Sequence, residues 1–145
     1  MDRIKMTFQI IFTNWVHLLG FYFTTYLSFI LFSILRLEGF AGENWNVILF
    51  FSPLAIPILF FTYGLFIIGG FYISICLLDT LAFNFIKEKT WTILFLEWIM
   101  IIPIFIMWAF EYEYWLWLTL ILSFLVTQRI RKNSIEKIKN RFCSF

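Results

Sequence analysis

The chain has 145 residues, of which 62% are hydrophobic and 23% aromatic, and only 11 basic and 9 acidic side chains carry charge. Soluble domains are about 45–50% apolar and about 25% charged, and seven of the charges here lie at or beyond Arg129. The remaining charges are too few to cover a water-facing surface, which excludes a soluble globular monomer. A disordered chain is also excluded, because disorder combines low hydrophobicity with high net charge.

Four long apolar intervals cover most of the chain, at residues 6–35, 44–78, 90–110 and 112–128. A hydrocarbon core of about 30 Å needs about 20 apolar helical residues, so each interval predicts a membrane crossing. We expect an all-α integral membrane protein, a bundle of four transmembrane helices over about residues 8–35, 55–80, 90–110 and 113–128. These crossings would form one transmembrane domain, residues 1–128.

The second interval is too long for one straight crossing. Residues 47–86 would make a helix of roughly 60 Å, about twice the membrane thickness. Pro53 and Pro57 each remove a backbone donor and favour a break. A full hairpin there would place the basic C-terminus outside, against the positive-inside rule. We therefore predict an outer-face segment at about residues 44–54, followed by one long, broken second span.

The signs of the charges in the termini and in the segments between spans predict the orientation, because Lys and Arg are retained on the cytoplasmic side. From the N-terminus they read basic, acidic, basic, acidic and basic, and the residues before the tail sum to −3. This pattern favours four crossings with both termini in the cytoplasm. No cleavable signal peptide is expected, which favours a bacterial inner membrane, with an organellar membrane as the alternative.

The C-terminal segment, residues 129–145, reads as a cytosolic basic amphipathic tail. Apolar residues recur in it at helical spacing, and six basic residues against one acidic residue give it a net charge of +5. Such helices lie on anionic membranes. We expect it to contact lipid or a cytosolic signal or partner protein, whereas the patterning of a nucleic-acid-binding module is missing. The contacting residues would be Arg129, Arg131, Lys132, Lys137, Lys139 and Arg141.

Three ionisable residues fall inside predicted spans, namely His17, Asp79 and Glu97. All three lie about 10–14 Å from the inner boundary at the helical rise. Ionisable groups in hydrocarbon face a protein interior or an aqueous cavity. The set could form a proton relay, a cation site, or a hydrogen-bonded cluster that holds the bundle together. Asp79 could instead lie at the interface and need no partner.

Polar and small residues of the first span share one helix face of about 100°. The fourth span repeats the pattern with Thr119, Ser123 and Thr127, each four residues apart. One interpretation is a packing seam between helices. The other is the lining of a polar path, which would require a homo-oligomer because one small bundle has little room for a pore. The candidate lining residues are Gln9, Thr13, His17, Thr24 and Ser28, with Gly20 on the same face.

No recognised catalytic or nucleotide-binding motif occurs, and a single histidine cannot build a multi-histidine metal or haem site. We therefore expect no enzyme activity, metal or cofactor. The leading hypothesis is an oligomeric channel, pore or membrane-perturbing effector, such as those of defence systems. Glu97 and Asp79 would then determine the electric field in the inner part of the path, or they would form a proton-sensitive gate. The alternatives are a non-transporting accessory or immunity-type binding protein, and a small proton-coupled transporter using Glu97.

Overall fold

A computed structural model describes residues 2–37, 44–62, 64–85, 89–111 and 115–143. Nearly all of these residues are helical, and no strand occurs within these ranges. The expected all-helical class is therefore confirmed. The six helices are α1 (Asp2–Phe12), α2 (Trp15–Ile34), α3 (Trp45–Phe61), α4 (Gly64–Phe85), α5 (Thr90–Glu111) and α6 (Leu116–Cys143).

Three of the described segments are long and apolar enough to cross a membrane, namely Ile4–Ile34, Gly64–Phe85 and Thr90–Glu111. Helix α3 is apolar but has only 17 residues. Large apolar side chains cover the outward faces of these helices, and Phe66 is 86% exposed. A surface of this kind is suited to lipid rather than to water, so the structure is that of a membrane-integrated protein.

The helical segment that contains the first predicted span, residues 8–35, begins before residue 8 and is interrupted. Helix α1 already begins at Asp2, and a short turn at Thr13 and Asn14 separates it from α2. The backbone N–H of Thr13 donates to Ile10 O at 2.9 Å, and that of Asn14 donates to Ile11 O at 3.0 Å. These are the i→i−3 bonds of a tight turn, which often marks a functional hinge.

The prolines of α3 do not break it, because tyrosines of α2 satisfy the carbonyls that the prolines leave free. Pro53 cannot donate to Leu49 O, and Pro57 cannot donate to Pro53 O. The hydroxyl of Tyr26 donates to Leu49 O at 3.3 Å, and that of Tyr22 donates to Pro53 O at 3.1 Å. The break predicted near residue 54 is therefore wrong, since α3 continues to Phe61.

Helices α3 and α4 both run antiparallel to the α1–α2 segment. For α3 this follows from the two tyrosine contacts, because Tyr22 contacts the carbonyl of Pro53 whereas the later Tyr26 contacts that of the earlier Leu49. For α4, Asn14 Nδ2 lies 2.7 Å from Asp79 Oδ2, whereas the earlier Thr7 contacts the later Asn84. The two helices therefore continue in one general direction, without a reversal between them.

Helix α6 passes without interruption through residue 129, where the sequence predicts the start of a separate tail. It runs antiparallel to α5, since Trp98 Nε1 donates to Ile121 O at 3.2 Å and Lys139 Nζ reaches Thr90 Oγ1 at 3.4 Å. Ile135, inside the predicted tail, is fully buried. The tail's first half therefore belongs to the helix bundle.

The buried residues form layers along the bundle. A large apolar cluster fills one end and includes Phe21, Phe71, Phe105 and Phe124. A small apolar cluster of Ile10, Leu94 and Ile135 fills the other end. In α4, α5, α6 and the α1–α2 segment alike, polar residues lie between the residues of these two clusters. This middle layer consists of Thr13, Asn14, His17, Asp79, Glu97, Thr127, Gln128 and Arg131.

Candidate functional site

The middle layer, called here the buried polar cluster, is the candidate functional site. Each of its eight side chains is 8% exposed or less. It brings together the three ionisable residues that the sequence singled out, His17, Asp79 and Glu97. Asp79 is fully buried and paired with Arg131, unlike the sequence-based alternative in which it needs no partner. The group that joins them is Arg131, which the sequence assigned to the surface.

Arg131 is fully buried, and its guanidinium is surrounded by acceptors. Nε donates to Thr13 Oγ1 at 2.8 Å, while Nη1 donates to Gln128 Oε1 at 3.0 Å and contacts His17 Nε2 at 3.4 Å. Nη2 lies 2.8 and 2.7 Å from the two carboxylate oxygens of Asp79. Arginine carries five N–H donors, and each of the three guanidinium nitrogens of Arg131 has an acceptor within 3.0 Å. The expectation that Arg131 contacts lipid or a partner is therefore wrong.

Asp79 is held from two sides. Besides the ion pair with Arg131, its Oδ2 accepts a hydrogen bond from Asn14 Nδ2 at 2.7 Å. Asn14 occupies the turn between α1 and α2, and its backbone carbonyl accepts a hydrogen bond from Tyr72 of α4 at 3.1 Å. The turn that interrupts the first span thus presents the Asn14 side chain to the cluster, while the backbone carbonyl of Asn14 has its own hydrogen-bond donor.

Glu97 is much more weakly paired than Asp79. Its Oε2 accepts a hydrogen bond from Gln128 Nε2 at 3.1 Å and lies 3.9 Å from Arg131 Nη1. Its Oε1 is buried and has no hydrogen-bond partner among the described residues. The cluster therefore contains two carboxyl groups around one guanidinium, and Glu97 is the surplus one.

His17 is fully enclosed between α4 and α6. Because Arg131 has no acceptor atom, the contact at Nε2 requires that nitrogen to be unprotonated. The proton then lies on Nδ1, which donates to Thr127 Oγ1 at 2.7 Å. The ring also meets Phe71 and Phe124 edge to face, with centroids 5.8 and 4.9 Å away. His17 is therefore a neutral side chain at the boundary with the large apolar cluster.

The polar stripe of α2 packs directly against the threonine and serine stripe of α6. Ser28 Oγ donates to Thr119 Oγ1 at 3.0 Å, several turns from the His17–Thr127 contact. Between them, a Cβ placed on Gly20 would overlap the Thr127 methyl group. These contacts match the packing seam that the sequence suggested, so Ser28 and His17 face α6 of the same chain. Two other candidates on this face are less enclosed, because Thr24 is half-buried and Gln9 is exposed.

Most of the other basic residues remain accessible. Arg129, Lys137 and Arg141 are exposed, whereas Lys132 and Lys139 are half-buried beside the start of α5. The sequence contained a signal for the burial of Arg131, since it extends the four-residue spacing of Thr119, Ser123 and Thr127 by one more step. The basic composition of the surrounding residues concealed that signal.

Comparison with protein-family models, with curated proteins and with solved structures finds no match for this chain. Within the part of the chain that the structure describes, no group of three or more His, Cys, Asp or Glu side chains is arranged to hold a metal ion. The buried polar cluster, with its surplus carboxyl group between two apolar layers, is thus the feature from which a function can be proposed.

Proposed function

We propose that this protein is a proton-coupled membrane transporter in which Glu97 exchanges a proton while a small solute or ion crosses the bilayer. The observation that carries the proposal is the surplus carboxyl group, paired at 3.9 Å with a guanidinium that Asp79 already engages at 2.7 Å. From the sequence alone this function is an alternative to an oligomeric channel, and the charges around Arg131 favour it.

The charge balance explains why a proton is needed. An uncompensated charge in a buried, low-dielectric site costs several kcal/mol. Arg131 compensates one carboxylate, and the contacts of its Nη2 with the carboxylate oxygens at 2.8 and 2.7 Å favour Asp79 as that partner. Glu97 is then neutral when it holds a proton. Loss or uptake of that proton changes the net charge of the cluster by one. Such a change can bias a conformational equilibrium.

The interrupted first span supports the same proposal. In many transporters, substrate and ion sites lie near the membrane midplane at helices that are broken in two. Here the turn at Thr13 and Asn14 lies beside the cluster, and both residues contact it directly. The turn offers a hinge at which α1 could move relative to α2.

The apolar layers would act as the two gates. The small cluster around Ile10, Leu94 and Ile135 closes one end, and the aromatic cluster around Phe71 and Phe124 closes the other. Exchange of a proton with water requires one of these layers to open at a time. The turn beside Ile10 makes the small cluster the proposed gate on the cytoplasmic side.

The proposed topology has four crossings, with both termini in the cytoplasm of a bacterial inner membrane. It is supported by the alternation of charge and by the common direction of α3 and α4, which together make one broken passage. A fluorescent protein fused to either terminus should mature and fluoresce in the cytoplasm. Fluorescence from one terminal fusion alone would contradict an even number of crossings.

The transport proposal is tested with Glu97→Gln in proteoliposomes that contain a pH-sensitive dye. The unaltered protein should move protons above the level of empty liposomes under an imposed potential, and Glu97→Gln should abolish this movement. Glu111→Gln is the matched control, because Glu111 is exposed at the end of the same helix. Proton movement that persists in Glu97→Gln would contradict the proposal.

Infrared spectroscopy gives a second measurement that does not depend on knowing the substrate. A carboxyl group that holds a proton in an apolar site has a C=O band distinct from that of a carboxylate. We expect such a band at neutral pH and its loss in Glu97→Gln but not in Glu111→Gln. Its presence in both variants would assign the proton to another group.

A second candidate is a non-transporting accessory protein, and an open groove between α4 and α5 favours it. The groove has a volume of about 420 Å³ and is lined by apolar side chains together with Gly70 and Ser74. Apart from the neighbouring backbone of the same helix, no atom lies within 4 Å of a Cβ placed on Gly70, so a partner helix could approach closely. Loss of a co-purifying membrane partner in Gly70→Leu, with proton movement absent throughout, would favour this candidate.

The oligomeric pore lined by the first span remains a further alternative. It requires Thr13, His17 and Ser28 to leave their contacts with α6 and face a shared axis. The mass of the purified complex in detergent tests it, because a monomer has no such axis. The cross-link described in the Discussion tests it independently.

A further inference from the structure

A basic cavity lies outside the buried polar cluster, where the start of α5 meets the second half of α6. Its volume is about 400 Å³, and three lysines line it, namely Lys89, Lys132 and Lys139. Thr90 and Trp91 of the first turn of α5 complete its wall on one side. Three ammonium groups around one cavity indicate an anionic ligand.

The charges of this cavity are incompletely paired. Glu136 also lines it, and its carboxylate lies 3.7 Å from Lys132 Nζ. Lys139 Nζ instead lies 3.4 Å from Thr90 Oγ1 and 5.7 Å from the centre of the Phe83 ring. The cavity thus retains a net positive charge that a bound anion would neutralise.

The first turn of α5 adds backbone donors to the same cavity. The first α-helical bond there runs from Ile93 N–H to Lys89 O at 3.2 Å. The N–H groups of Thr90, Trp91 and Thr92 therefore precede the helical ladder, and no acidic residue occupies this turn. N–H groups at a helix start, with the positive end of the helix dipole, favour phosphate oxygens.

The surface next to the cavity is apolar and continues along α5. The rings of Trp91, Phe95 and Trp98 form a row, with successive centroids 6.3 and 5.5 Å apart. Trp91 is 37% exposed and Phe95 39% exposed. Tryptophan at the first turn of an apolar helix is typical of the membrane interface. An anion in the cavity would therefore have its apolar part beside these rings.

We propose that the basic cavity binds the phosphate group of an anionic phospholipid, with an acyl chain along the aromatic row of α5. Basic pockets between transmembrane helices on the cytoplasmic side are known to hold such headgroups. The apolar row distinguishes a lipid from a free phosphate, which would gain nothing from it. This site is separate from the proton site, and neither proposal depends on the other.

The test uses the full-length protein in detergent, titrated with dioctanoyl phosphatidylglycerol while thermal unfolding is followed. Dioctanoyl phosphatidylcholine and inorganic phosphate serve as comparison ligands. The anionic lipid should stabilise the protein at lower concentration than either of them. Equal effects of the two lipids would overturn the site, and an equal effect of inorganic phosphate would overturn its assignment to lipid.

Three variants locate the binding. Lys139→Gln should weaken phosphatidylglycerol binding about fivefold. Lys137→Gln, an exposed lysine of the same helix outside the cavity, should change it by less than about twofold. Equal weakening by both variants would show general attraction of lipid to a basic helix and overturn the proposal.

Glu136→Gln supplies a change of opposite sign. Removing this carboxylate frees Lys132 and should strengthen phosphatidylglycerol binding, again about fivefold. A misfolded variant cannot bind more tightly, so this result cannot arise from damage to the fold. Unchanged or weaker binding in Glu136→Gln would contradict the proposal even if Lys139→Gln failed to fold.

Discussion

Asp79 and Arg131 form a fully buried ion pair between helices α4 and α6, with Arg131 Nη2 2.7 and 2.8 Å from the two carboxylate oxygens. The two residues are 52 positions apart. Their pairing brings the end of the second apolar interval and the start of the basic segment into one layer. The bundle therefore includes residues that composition alone assigns to the cytosol.

The first prediction concerns this ion pair. Arg131→Gln should lower the free energy of unfolding by about 3–5 kcal/mol, because it leaves Asp79 buried without its counter-charge. Arg129→Gln is the matched control and should change it by less than about 0.5 kcal/mol, since Arg129 is exposed. Reversible unfolding in mixed micelles measures both values. A surface role for Arg131 would give two equal, small effects.

The second prediction concerns the close approach of α2 and α6. Gly20→Ala should destabilise the protein by about 1–3 kcal/mol, because the new methyl group would overlap Thr127. Gly70→Ala faces open space and should be neutral or stabilising by up to about 1 kcal/mol, since Ala favours helix. The same unfolding assay compares them. Similar values for the two variants would mean that Gly20 does not lie in a tight seam.

The third prediction distinguishes a seam within one chain from a lining shared between chains. Ser28→Cys combined with Thr119→Cys, in a Cys76→Ser and Cys143→Ser background, should form a disulfide within one chain, because the native oxygens are 3.0 Å apart. Non-reducing electrophoresis should show a shifted monomer. Ser74→Cys with Thr119→Cys is the control without cross-linking, since Ser74 is exposed on α4. A cross-linked dimer would instead support the oligomeric pore.

The fourth prediction concerns the tyrosine contacts with α3. Tyr26→Phe should cost about 0.6 kcal/mol, and at most about 1.7 kcal/mol, the range measured for hydrogen bonds in membrane proteins. Pro53→Ala restores an N–H group that can donate to Leu49 O. In the Pro53→Ala background, Tyr26→Phe should therefore cost much less. A double-mutant cycle with additive effects would show that the hydroxyl does not replace the missing donor.

The sequence predicted several parts of the buried polar cluster but not its connections. His17, Asp79 and Glu97 stood out because ionisable residues are rare in apolar segments. The stripes on α2 and α6 followed from their four-residue spacing, and their contact at Ser28 and Thr119 agrees with a packing seam. Helical periodicity identifies a face, but the partner of that face depends on how distant segments pack.

Arg131 shows why local composition was misleading. Its neighbours Arg129 and Lys132 are also basic, so by composition the segment resembles a solvated helix. Arg129 is exposed and Lys132 is half-buried, whereas Arg131 is fully buried. Burial of one guanidinium is tolerated only because Asp79, Thr13 and Gln128 supply acceptors around it. Gln128 is three residues from Arg131, but Thr13 and Asp79 come from distant parts of the chain, so no short window of the sequence contains all the partners.

The sequence by itself determined that this is a helical membrane protein, because 62% hydrophobic residues and so few charges leave no other way to satisfy its surface. It also determined which ionisable groups are unusual, because a charge in an apolar segment needs compensation. Only the tertiary structure decided that Arg131 supplies this compensation, and that Glu97 remains the surplus carboxyl group. The physical reason is that charge balance in a low-dielectric interior is set by distances between helices, which the order of residues does not contain.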